Sequence, residues 1–516
     1  MTEIKDQIYR YRHYIGVAAA VLLVCQQVYH RIFRIPKNLR HLPAIPYGQQ
    51  LKALQSQENL ISRTQRLVFP LLSKANGVYL VCFFDLDTWT IYVADPEIAR
   101  IVFFKPEFAN KTSSVLDSID QNTTLIEFVG NDNVSIVNGH HWKDQRKIMN
   151  PAFHRATPVG MFGSLMPKVF RLVEEQPTVP VLELMQKLTL DALGKSVFGF
   201  DFGGLDDPDS VWVKTYRLLF DGFTNVIPLV FPRLDGLYRY FSAKRRAQHD
   251  AVYKLIDLLD GVADKKRSML QDESNSHTND VPEHEKDLLQ LMLEAELRGE
   301  GNWTKKELRH NMAIFFVAGH DTTSHALTFC LYLLAMNQDI QKKAREEILR
   351  VLGDEPTDVF PTLEDCKKMD YLDMVIKESM RIYPPANDIL ARDVHEDLNV
   401  KGIFIPKGAM VSVDIQALHH RPDLWHEPEK FNPDRFLPGG EHDSHEGIAY
   451  APFSSGARQC IALKFSIMQQ RVVLAMLLRK FEWELPKESK HKDGIKFEIP
   501  FNLAPKDLEL TFHKRY

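Results

Sequence analysis

An unusually long helix is predicted near the middle of the chain, and it constrains the fold more than any other segment does. Residues 304–307 (TKKE) have the pattern of a capping box, which begins a helix. No proline follows before Pro356, and the helical pattern continues to about Asn337. Such a helix has about 32 residues and a length of about 48 Å, since each residue adds 1.5 Å. Its middle is apolar on all faces up to Gly319, so we expect it to be buried and to cross a large domain.

Polar residues interrupt this apolar helix directly after Gly319. His320, Asp321 and Thr322 follow, and burying a carboxylate costs several kcal/mol unless it is paired or hydrated. Two interpretations are open. In one, the hydroxyl groups bond back to the preceding turn and Asp321 pairs with an arginine. In the other, the helix lies against a bound molecule, where Gly319 allows close approach and Asp321 and Thr322 manage protons.

The rest of the chain predicts one large domain that is mainly α-helical with small β-sheets (α+β). Helical patterns dominate residues 140–385, and short β-like runs occur at residues 78–84 and 90–93 and again after residue 386. Residues 110–140 are polar without a period, so a long loop is predicted there. The net charge of −4 argues against nucleic acid as the main partner, because phosphate binding needs a clustered positive surface.

The first residues predict a membrane anchor. An uninterrupted apolar run of eleven residues extends from Ile15 to Cys25, which is short for a spanning helix of about 20 residues. The basic flank after the run favours a cytosolic location for the rest of the chain. We therefore predict an anchor over residues 1–35, a proline-rich hinge over residues 36–48 and one domain over residues 49–516. A cleaved signal peptide and a buried core helix are the alternatives, although the run ends without a small-x-small cleavage site.

A second helix is predicted to end in an ion pair. The segment that starts at Asp370 stops before Pro384, as the restriction on residues preceding proline requires. Glu378 and Arg381 are three residues apart and share one face of this helix. On a surface such a pair contributes less than ~1 kcal/mol, but in an otherwise apolar turn it can act as a structural clamp. Arg435 lies between two aromatic residues in a proline-bounded loop and is a candidate third member.

One cysteine stands in an unusual context. The five cysteines are scattered without a CxxC pair, which argues against a disulfide framework and a zinc ribbon. Cys460 precedes a long helical pattern, and at a helix N-terminus the dipole and free N–H groups stabilise a thiolate. A lone cysteine is usually an inert core residue. Here Phe453, Gly456 and Arg458 precede it at fixed offsets and favour a reactive or metal-bound thiolate instead.

Taken together, these motifs resemble the cytochrome P-450 family of haem-thiolate monooxygenases, of the microsomal, membrane-anchored type. The family pattern F-x-x-G-x-R-x-C-x-G is matched from Phe453 to Cys460, and Ala462 stands in place of the final glycine. Four further motifs occur in the family's order along nearly the whole chain: W-x-x-x-R at Trp142 and Arg146, A-G-x-D-T from Ala318 to Thr322, E-x-x-R at Glu378 and Arg381, and a P-E-R-F-like motif from Asp434 to Phe436.

The resemblance implies the cytochrome P-450 fold and a b-type haem (iron protoporphyrin IX) with Cys460 as the axial iron ligand. It also implies a set of cofactor-binding residues, which are Trp142, Arg146, Arg392 and Arg458 as donors to the haem propionates, together with Ala318, Phe453, Gly456 and Ala462. Asp321 and Thr322 would be catalytic and would relay protons during oxygen activation. The E-x-x-R pair and Arg435 would be structural.

The implied reaction inserts one oxygen atom from O2 into a C–H bond of a lipophilic small molecule, such as a steroid, fatty acid, terpenoid or xenobiotic. No G-x-G-x-x-G motif follows a predicted strand, so the electrons are expected from NADPH through a separate FAD/FMN cytochrome P-450 reductase. Cytochrome b5 is a second candidate donor, and membrane lipid is a further expected partner. The expected location is the endoplasmic reticulum membrane, with a single span and the catalytic domain facing the cytosol.

Two other functions stay open at this point. A haem-thiolate lyase or isomerase on the same fold rearranges a peroxide and needs neither oxygen nor reductase, although Asp321, Thr322 and the undisturbed cysteine loop argue against it. The other is a membrane-anchored haem-binding protein without turnover. Consumption of NADPH in the presence of a reductase and a lipophilic substrate would separate the three functions.

Overall fold

The computed structural model describes most of the chain. The described residues are 21–22, 26, 29, 34–55, 58–83, 88–105, 108, 110–111, 123–155, 158–207, 209–223, 225, 228, 234–271, 286–300, 303–499 and 502–516. The predicted apolar anchor from Ile15 to Cys25 lies almost wholly outside these ranges. Within them, no helix has both the length and the apolar character that a membrane crossing requires.

Helices dominate the described part of the fold. Numbered α1 to α18 in chain order, they are Tyr47–Gln55, Leu60–Leu67, Phe69–Leu72, Pro96–Phe104, Thr124–Val129, Gly139–Arg155, Val159–Glu175, Val181–Leu193, Val211–Phe223, Asp235–Phe241, Ala243–Gln271, Leu288–Leu297, Lys305–Met336, Gln338–Leu352, Leu363–Cys366, Asp370–Ile382, Ile415–His420 and Leu463–Lys480. A π-helical turn, Gly194–Phe198, continues α8. The predicted mainly helical fold is therefore confirmed.

The strands of the described residues form small sheets. Numbered β1 to β11, they are Val78–Phe83, Thr88–Val93, Thr178–Pro180, Arg392–Asp393, Leu398–Val400, Ile403–Ile405, Met410–Val413, Phe481–Glu484, Phe497–Ile499, Asn502–Pro505 and Glu509–Lys514. One sheet has the order β1-β2-β7-β4, another β3-β11-β8, and two pairs are β5-β6 and β10-β9. In the first sheet β2 runs antiparallel to β1 and parallel to β7. The β-like runs predicted at residues 78–84 and 90–93 thus correspond to β1 and β2.

Helix α13 is the long central helix that the sequence predicts. Its capping box is formed by two hydrogen bonds, since the Glu307 N–H donates to Thr304 Oγ1 at 3.1 Å and the Thr304 N–H donates to Glu307 Oε2 at 2.8 Å. The helix ends at Met336, before the cap residue Asn337. Residues 323–335 are buried without interruption, where α13 packs against α8, α16 and α18. The core of the domain is therefore built around this helix.

The prediction of a continuous loop over residues 110–140 is wrong in part, because it contains α5 (Thr124–Val129). Phe128 of this helix is fully buried, and its ring lies 6.2 Å from the ring of Phe316 in α13. A helix of six residues is too short to produce a visible hydrophobic period, so tertiary packing determines its conformation.

The proline-rich stretch that precedes α1 packs on the domain. Leu39 and Leu42 are buried. The Ile45 N–H donates to the Leu80 carbonyl oxygen at 3.0 Å, and the Leu80 N–H donates to the Pro43 carbonyl oxygen at 2.8 Å. These contacts hold the stretch against β1 and so determine the direction from which the chain enters the domain.

Candidate active site

The loop that carries Cys460 is a tight turn held by its own backbone. The Cys460 N–H donates to the Phe453 carbonyl oxygen at 2.9 Å, and Gly456–Arg458 forms a single 3-10 turn. Gly456 has a φ of +69°, and a β-carbon at this position would lie 2.3 Å from the backbone oxygen of Phe103 in α4. Only glycine tolerates both conditions. The glycine of the sequence pattern is thus explained by the contact between this loop and α4.

Cys460 lines an internal cavity of about 350 Å³. The side chain is exposed to this space although it is surrounded by protein. The walls are mainly apolar and include Phe153, Leu193, Val197, Phe315, Ile389 and Leu390. Helix α13 contributes Ala318, Gly319, Thr322, Thr323 and Ala326 to the same walls. An apolar cavity with one thiol and a short polar stretch suits a lipophilic ligand that reacts at a single place.

The surroundings of the Cys460 thiol have opposing effects on its pKa. Burial raises the pKa of this thiol, whereas the Ala462 N–H and the positive charges of Arg146 and Lys111 lower it. Ala462 is the N-cap residue of α18, so Cys460 lies just before the start of that helix, as predicted. These neighbours would stabilise the negative charge of a thiolate bound to a metal.

Positively charged side chains gather at one side of the cavity. Its lining includes Lys111, Arg392 and Arg458. Arg458 donates to the Val137 carbonyl oxygen at 2.9 Å and to Asn138 Oδ1 at 2.6 Å. Its guanidinium carbon also lies 4.1 Å from the centre of the Trp142 ring, within the range of a cation–π contact. The guanidinium carbon of Arg146 lies 5.9 Å from the same ring centre.

Several N–H groups of these arginines are buried without a partner. Arg392 is only 3% exposed, yet neither its Nε nor its Nη1 has a hydrogen-bond acceptor, and the Nε of Arg146 has none. Burial lowers the pKa of Arg392 to about 10. Burial and repulsion from Arg392 and Arg146 lower the pKa of Arg458 to about 9. A buried donor without an acceptor is costly, so this side of the cavity fits an anionic group such as the two propionates of a haem.

The polar stretch of α13 is divided between the cavity and the space behind it. Thr322 lines the cavity, and its hydroxyl donates to the Ala318 carbonyl oxygen at 2.9 Å. Asp321 is not part of the cavity lining. Its Oδ1 accepts a hydrogen bond from Gln186 Nε2 of α8 at 3.1 Å and lies 3.3 Å from His320 Nε2. The back-bonding interpretation is confirmed for Thr322, but the partner of Asp321 is Gln186, not an arginine.

Gly319, which precedes this polar stretch, leaves room for the side chain of Leu193 from α8. A β-carbon on Gly319 would lie 2.6 Å from Cδ1 of Leu193 in α8. The close approach that the sequence suggested at Gly319 is thus made by Leu193, and both residues also line the cavity.

The predicted clamp at the end of α16 is confirmed. Glu378 and Arg381 are fully buried, and Arg381 donates from Nε and Nη2 to the two carboxylate oxygens of Glu378 at 2.7 Å and 2.9 Å. Arg435 Nε donates to Glu378 Oε1 at 3.2 Å. The third nitrogen of Arg381 donates to the His419 carbonyl oxygen at 2.8 Å. These residues connect α16 to the loops that precede the cysteine turn, and they do not touch the cavity.

Residues 64–512 match the family model described as Cytochrome P-450. This match spans most of the chain, including the cavity and the cysteine loop. The chain belongs to the cytochrome P-450 family.

Curated relatives agree with this assignment over most of their own length. The chain is 30% identical to Cytochrome P-450 3A5 of Homo sapiens over 433 residues, which is 81% of this chain and 79% of the relative. It is 30% identical to Taurochenodeoxycholic 6 alpha-hydroxylase of Sus scrofa over 407 residues, which is 76% of each chain. It is 28% identical to Cytochrome P-450 4A24 of Sus scrofa over 485 residues, which is 91% of this chain and 90% of the relative.

Family membership establishes the reaction class and the cofactor. Cytochromes P-450 are monooxygenases that bind haem b (iron protoporphyrin IX) through a cysteine thiolate, so this protein is an oxidoreductase of that kind. The family takes its electrons from a redox partner and uses O2 with lipophilic substrates. The predicted family, reaction class and cofactor are thereby confirmed.

The predicted site residues occupy different positions around this cytochrome P-450 cavity. Those that line it are Ala318, Thr322, Arg392, Phe453, Arg458, Cys460 and Ala462. The others do not line it: the Trp142 ring contacts Arg458 and lies near Arg146, Gly456 shapes the cysteine loop, and Asp321 pairs with Gln186.

Lys111 is a cavity residue that sequence reasoning missed. Burial and the charges of Arg392, Arg458 and Arg146 lower its pKa to about 7. Its backbone is fixed by the Asn138 side chain, which accepts from the Lys111 N–H at 2.9 Å and donates to the Lys111 carbonyl oxygen at 2.9 Å. Lys111 belongs to a polar segment without periodicity or motif, so the sequence contains no signal that would have identified it.

Proposed function

We propose that this cytochrome P-450 hydroxylates a C–H bond of a largely apolar small molecule, of the steroid, bile-acid, fatty-acid, terpenoid or xenobiotic classes. A single observation carries the proposal: Cys460 and Thr322 line one apolar cavity whose cationic side contains arginine N–H groups without acceptors. The name of one relative, Taurochenodeoxycholic 6 alpha-hydroxylase, describes a bile-acid substrate, which supports including bile acids in the first set of compounds to be tested.

The same proposal assigns the cofactor-binding roles. Cys460 would hold the haem iron through its thiolate, and the bound haem would supply the activation of O2 for insertion into a C–H bond. Arg392, Arg458 and Arg146, aided by Trp142, would donate to the propionates through charge-assisted hydrogen bonds. Lys111 would add a further positive charge there. The remaining cofactor contacts would come from Ala318, Phe453, Gly456 and Ala462.

Asp321 and Thr322 would control protons and water next to the reacting atoms. The Thr322 hydroxyl is directed to the Ala318 carbonyl oxygen and is accessible from the cavity, so it can exchange that bond for one to a water molecule. The Asp321 carboxylate accepts a hydrogen bond from the neutral side chain of Gln186. Rotation of Asp321 away from Gln186 would bring a proton-carrying group to Thr322 without breaking an ion pair with a lysine or arginine.

The membrane arrangement is a further part of the proposal. Residues 1–35 would anchor the enzyme in the endoplasmic reticulum membrane as a single span, residues 36–48 would form the connection, and residues 49–516 would be the catalytic domain in the cytosol. The apolar run from Ile15 to Cys25 and its basic flank support this arrangement. Electrons would come from NADPH through an FAD/FMN cytochrome P-450 reductase, with cytochrome b5 as a second donor and membrane lipid as a further partner. No nucleic acid is expected to bind.

Reconstitution tests this proposal. The full-length enzyme is combined with lipid vesicles and an NADPH-dependent cytochrome P-450 reductase, and compounds are screened by the spin-state shift of the haem absorption. Those that bind are incubated with 18O2, and we expect NADPH-dependent products that contain one labelled oxygen atom. A sugar of similar mass is the matched polar control and should produce neither a shift nor a product. Anaerobic consumption of a peroxide without NADPH-dependent hydroxylation of any compound would contradict the proposal and favour the lyase or isomerase function.

A further inference from the structure

We propose that Asp132, His141 and Glu307 form a binding site for a divalent transition metal ion such as Zn2+, outside the haem cavity. The three residues come from different parts of the chain: the loop before α6, the first turn of α6 and the first turn of α13. Each offers one ligand atom, and these three atoms lie within 4.8 Å of one another. One imidazole and two carboxylates are ligands that Zn2+ accepts, and water can complete a four-coordinate site.

The distances are close to those of a zinc site. Two ligand atoms at about 2.1 Å from a tetrahedral ion lie about 3.4 Å apart. The distance between His141 Nε2 and Glu307 Oε1 is 3.6 Å, which already matches. His141 Nε2 lies 2.6 Å from Asp132 Oδ1, so this pair must separate by about 0.8 Å to admit an ion between them. The side chains are 26% (Asp132), 43% (His141) and 15% (Glu307) exposed, so an ion can enter from solvent.

The backbone around the site is fixed before any ion binds. The Asn133 side chain donates to the carbonyl oxygens of Val129 and Gly130 at 3.1 Å and 3.2 Å, which closes the loop next to Asp132. The Val134 N–H donates to Asn311 Oδ1 of α13 at 2.8 Å, which attaches that loop to the central helix. Little conformational entropy is then lost when an ion binds to these side chains.

Glu307 can take part without giving up its structural role. Its Oε2 accepts the Thr304 N–H in the capping box, and its Oε1 faces His141. A carboxylate can use one oxygen for each partner, so metal binding does not compete with the start of α13. Lys306 Nζ lies 3.9 Å from the other oxygen of Asp132 and partly balances the two negative charges.

A second observation near the site also indicates unused ligand capacity. His310 lies one turn after Glu307 on α13, and its Nδ1 is buried without a hydrogen-bond partner. The charges that act on its pKa include those of Lys306 and Asp132, so the ring lies within electrostatic reach of the cluster. A buried ring nitrogen without a partner is costly, so this nitrogen has capacity for one further hydrogen-bond partner.

Metal binding would connect α6, which carries Trp142 and Arg146, to the N-terminal end of α13. Because the ion binds the folded state, we expect Zn2+ to raise the apparent melting temperature of the holoenzyme by mass action. The bound ion would then link two helices that border the haem cavity, and a chelator would remove this link. This inference does not depend on the substrate proposed above.

The experiment uses the chelator-washed, full-length holoenzyme, in which Cys460 is occupied by haem. Zn2+ is titrated by calorimetry, and Co2+ serves as a spectroscopic probe of ligand geometry in a difference spectrum. We expect one ion per chain at this site, and His141→Gln should weaken its binding by at least about tenfold. His140→Gln is the matched control, since His140 is exposed and lies outside the cluster, and it should change the affinity by less than about twofold.

A second variant keeps the proposal falsifiable if His141→Gln is poorly folded. Asp132→Asn retains the size of the side chain and removes its charge, and it should weaken Zn2+ binding by a similar factor. Affinities that are equal in the native enzyme and both cluster variants would overturn the proposal. So would the absence of a Co2+ difference spectrum or of a Zn2+-dependent rise in melting temperature in the native holoenzyme.

Discussion

The buried arginines of the clamp and the buried Arg392 of the cavity differ in how completely their N–H groups are used. In the clamp, each guanidinium nitrogen of Arg381 and Arg435 donates to an acceptor within the chain. At the cavity that Cys460 lines, Arg392 is buried to a similar degree, but its Nε and Nη1 have no acceptor. The clamp contains a carboxylate between its two arginines, whereas the cavity combines Arg392 and Arg458 with a lysine.

This difference distinguishes an arginine with a structural role from an arginine that can bind a ligand. A buried guanidinium whose donors are all satisfied within the protein stabilises that arrangement and has little left to offer a ligand. A buried guanidinium with unpartnered donors beside a cavity has acceptors for those donors only when an anion binds. Burial alone does not distinguish Arg392 from the two clamp arginines, since all three are nearly inaccessible to solvent.

Breaking the clamp should have the largest effect. In Glu378→Ala, Arg381 and Arg435 lose their shared carboxylate while they remain buried. We expect the free energy of unfolding to fall by ~3–5 kcal/mol, measured by denaturant titration of the holoenzyme. Glu364→Ala is the control, because its partner Lys367 is exposed, and it should cost less than ~1 kcal/mol. Similar small losses in both variants would show that the clamp is not structural.

Removing an unpartnered cavity arginine should affect the cofactor more than the fold. In Arg392→Ala the proposed propionate contact is lost, and haem should dissociate at least about tenfold faster, since truncating one partner of a buried charge pair acts on the dissociation rate. Haem transfer to excess apomyoglobin measures this rate. Arg392→Lys keeps the charge and should lie between the variant and the native enzyme. Unchanged haem release in Arg392→Ala would contradict the proposed propionate contact and would indicate a structural role for Arg392, like that of the clamp arginines.

The hydroxyl groups of Thr322 and Thr323 in α13 can be compared in the same way, and we expect a smaller effect. Thr322 lines the cavity with its hydroxyl on a backbone carbonyl, whereas the hydroxyl of Thr323 also meets Ser466 Oγ at 3.1 Å. Thr322→Ala should lower the yield of product per NADPH by roughly tenfold, with peroxide released, because a positioned proton donor is lost. Thr323→Ala should leave the yield nearly unchanged and cost ~1 kcal/mol of stability. Equal yields in the two variants would remove Thr322 from its proposed role.

Lys111 should make haem affinity depend on pH. Its pKa is lowered to about 7 in the folded protein, and neighbouring propionates would raise it again. Haem binding then takes up a proton above pH 7, so affinity is highest below about pH 7 and falls as the pH rises, by at most about tenfold per pH unit. In Lys111→Met this slope should disappear. Haem affinity, measured by equilibrium competition with apomyoglobin from about pH 6.5 to about pH 8.5, tests the difference, and an unchanged slope in the variant would contradict it.

The sequence predicted the structure correctly where the interaction that determines it joins residues close together in the chain. The capping box and the absence of proline predicted α13 nearly to the residue, and the offsets around Cys460 predicted the cysteine turn. The i, i+3 spacing of Glu378 and Arg381 predicted their contact, because both residues lie on one helix. Each of these patterns is read within a few residues of chain.

The sequence was not sufficient where the partner is distant along the chain. Gln186 lies 135 residues before Asp321, so no local pattern identifies it as the partner of that acid. The same holds for Phe103, which requires a glycine at position 456, and for Phe316, which stabilises the short helix α5. Whether a buried arginine is satisfied also depends on the folded structure, so the contrast between Arg392 and Arg381 could not be predicted.

The most direct test concerns the sulfur atom at the cavity wall. The reduced carbon monoxide spectrum of the purified full-length enzyme reports whether a thiolate is bound to the haem iron. We expect the thiolate-type spectrum in the native enzyme and in Cys366→Ala, whose cysteine is buried away from the cavity, and its loss in Cys460→His. A thiolate-type spectrum that persists in Cys460→His would contradict the assignment of this cavity as the haem site.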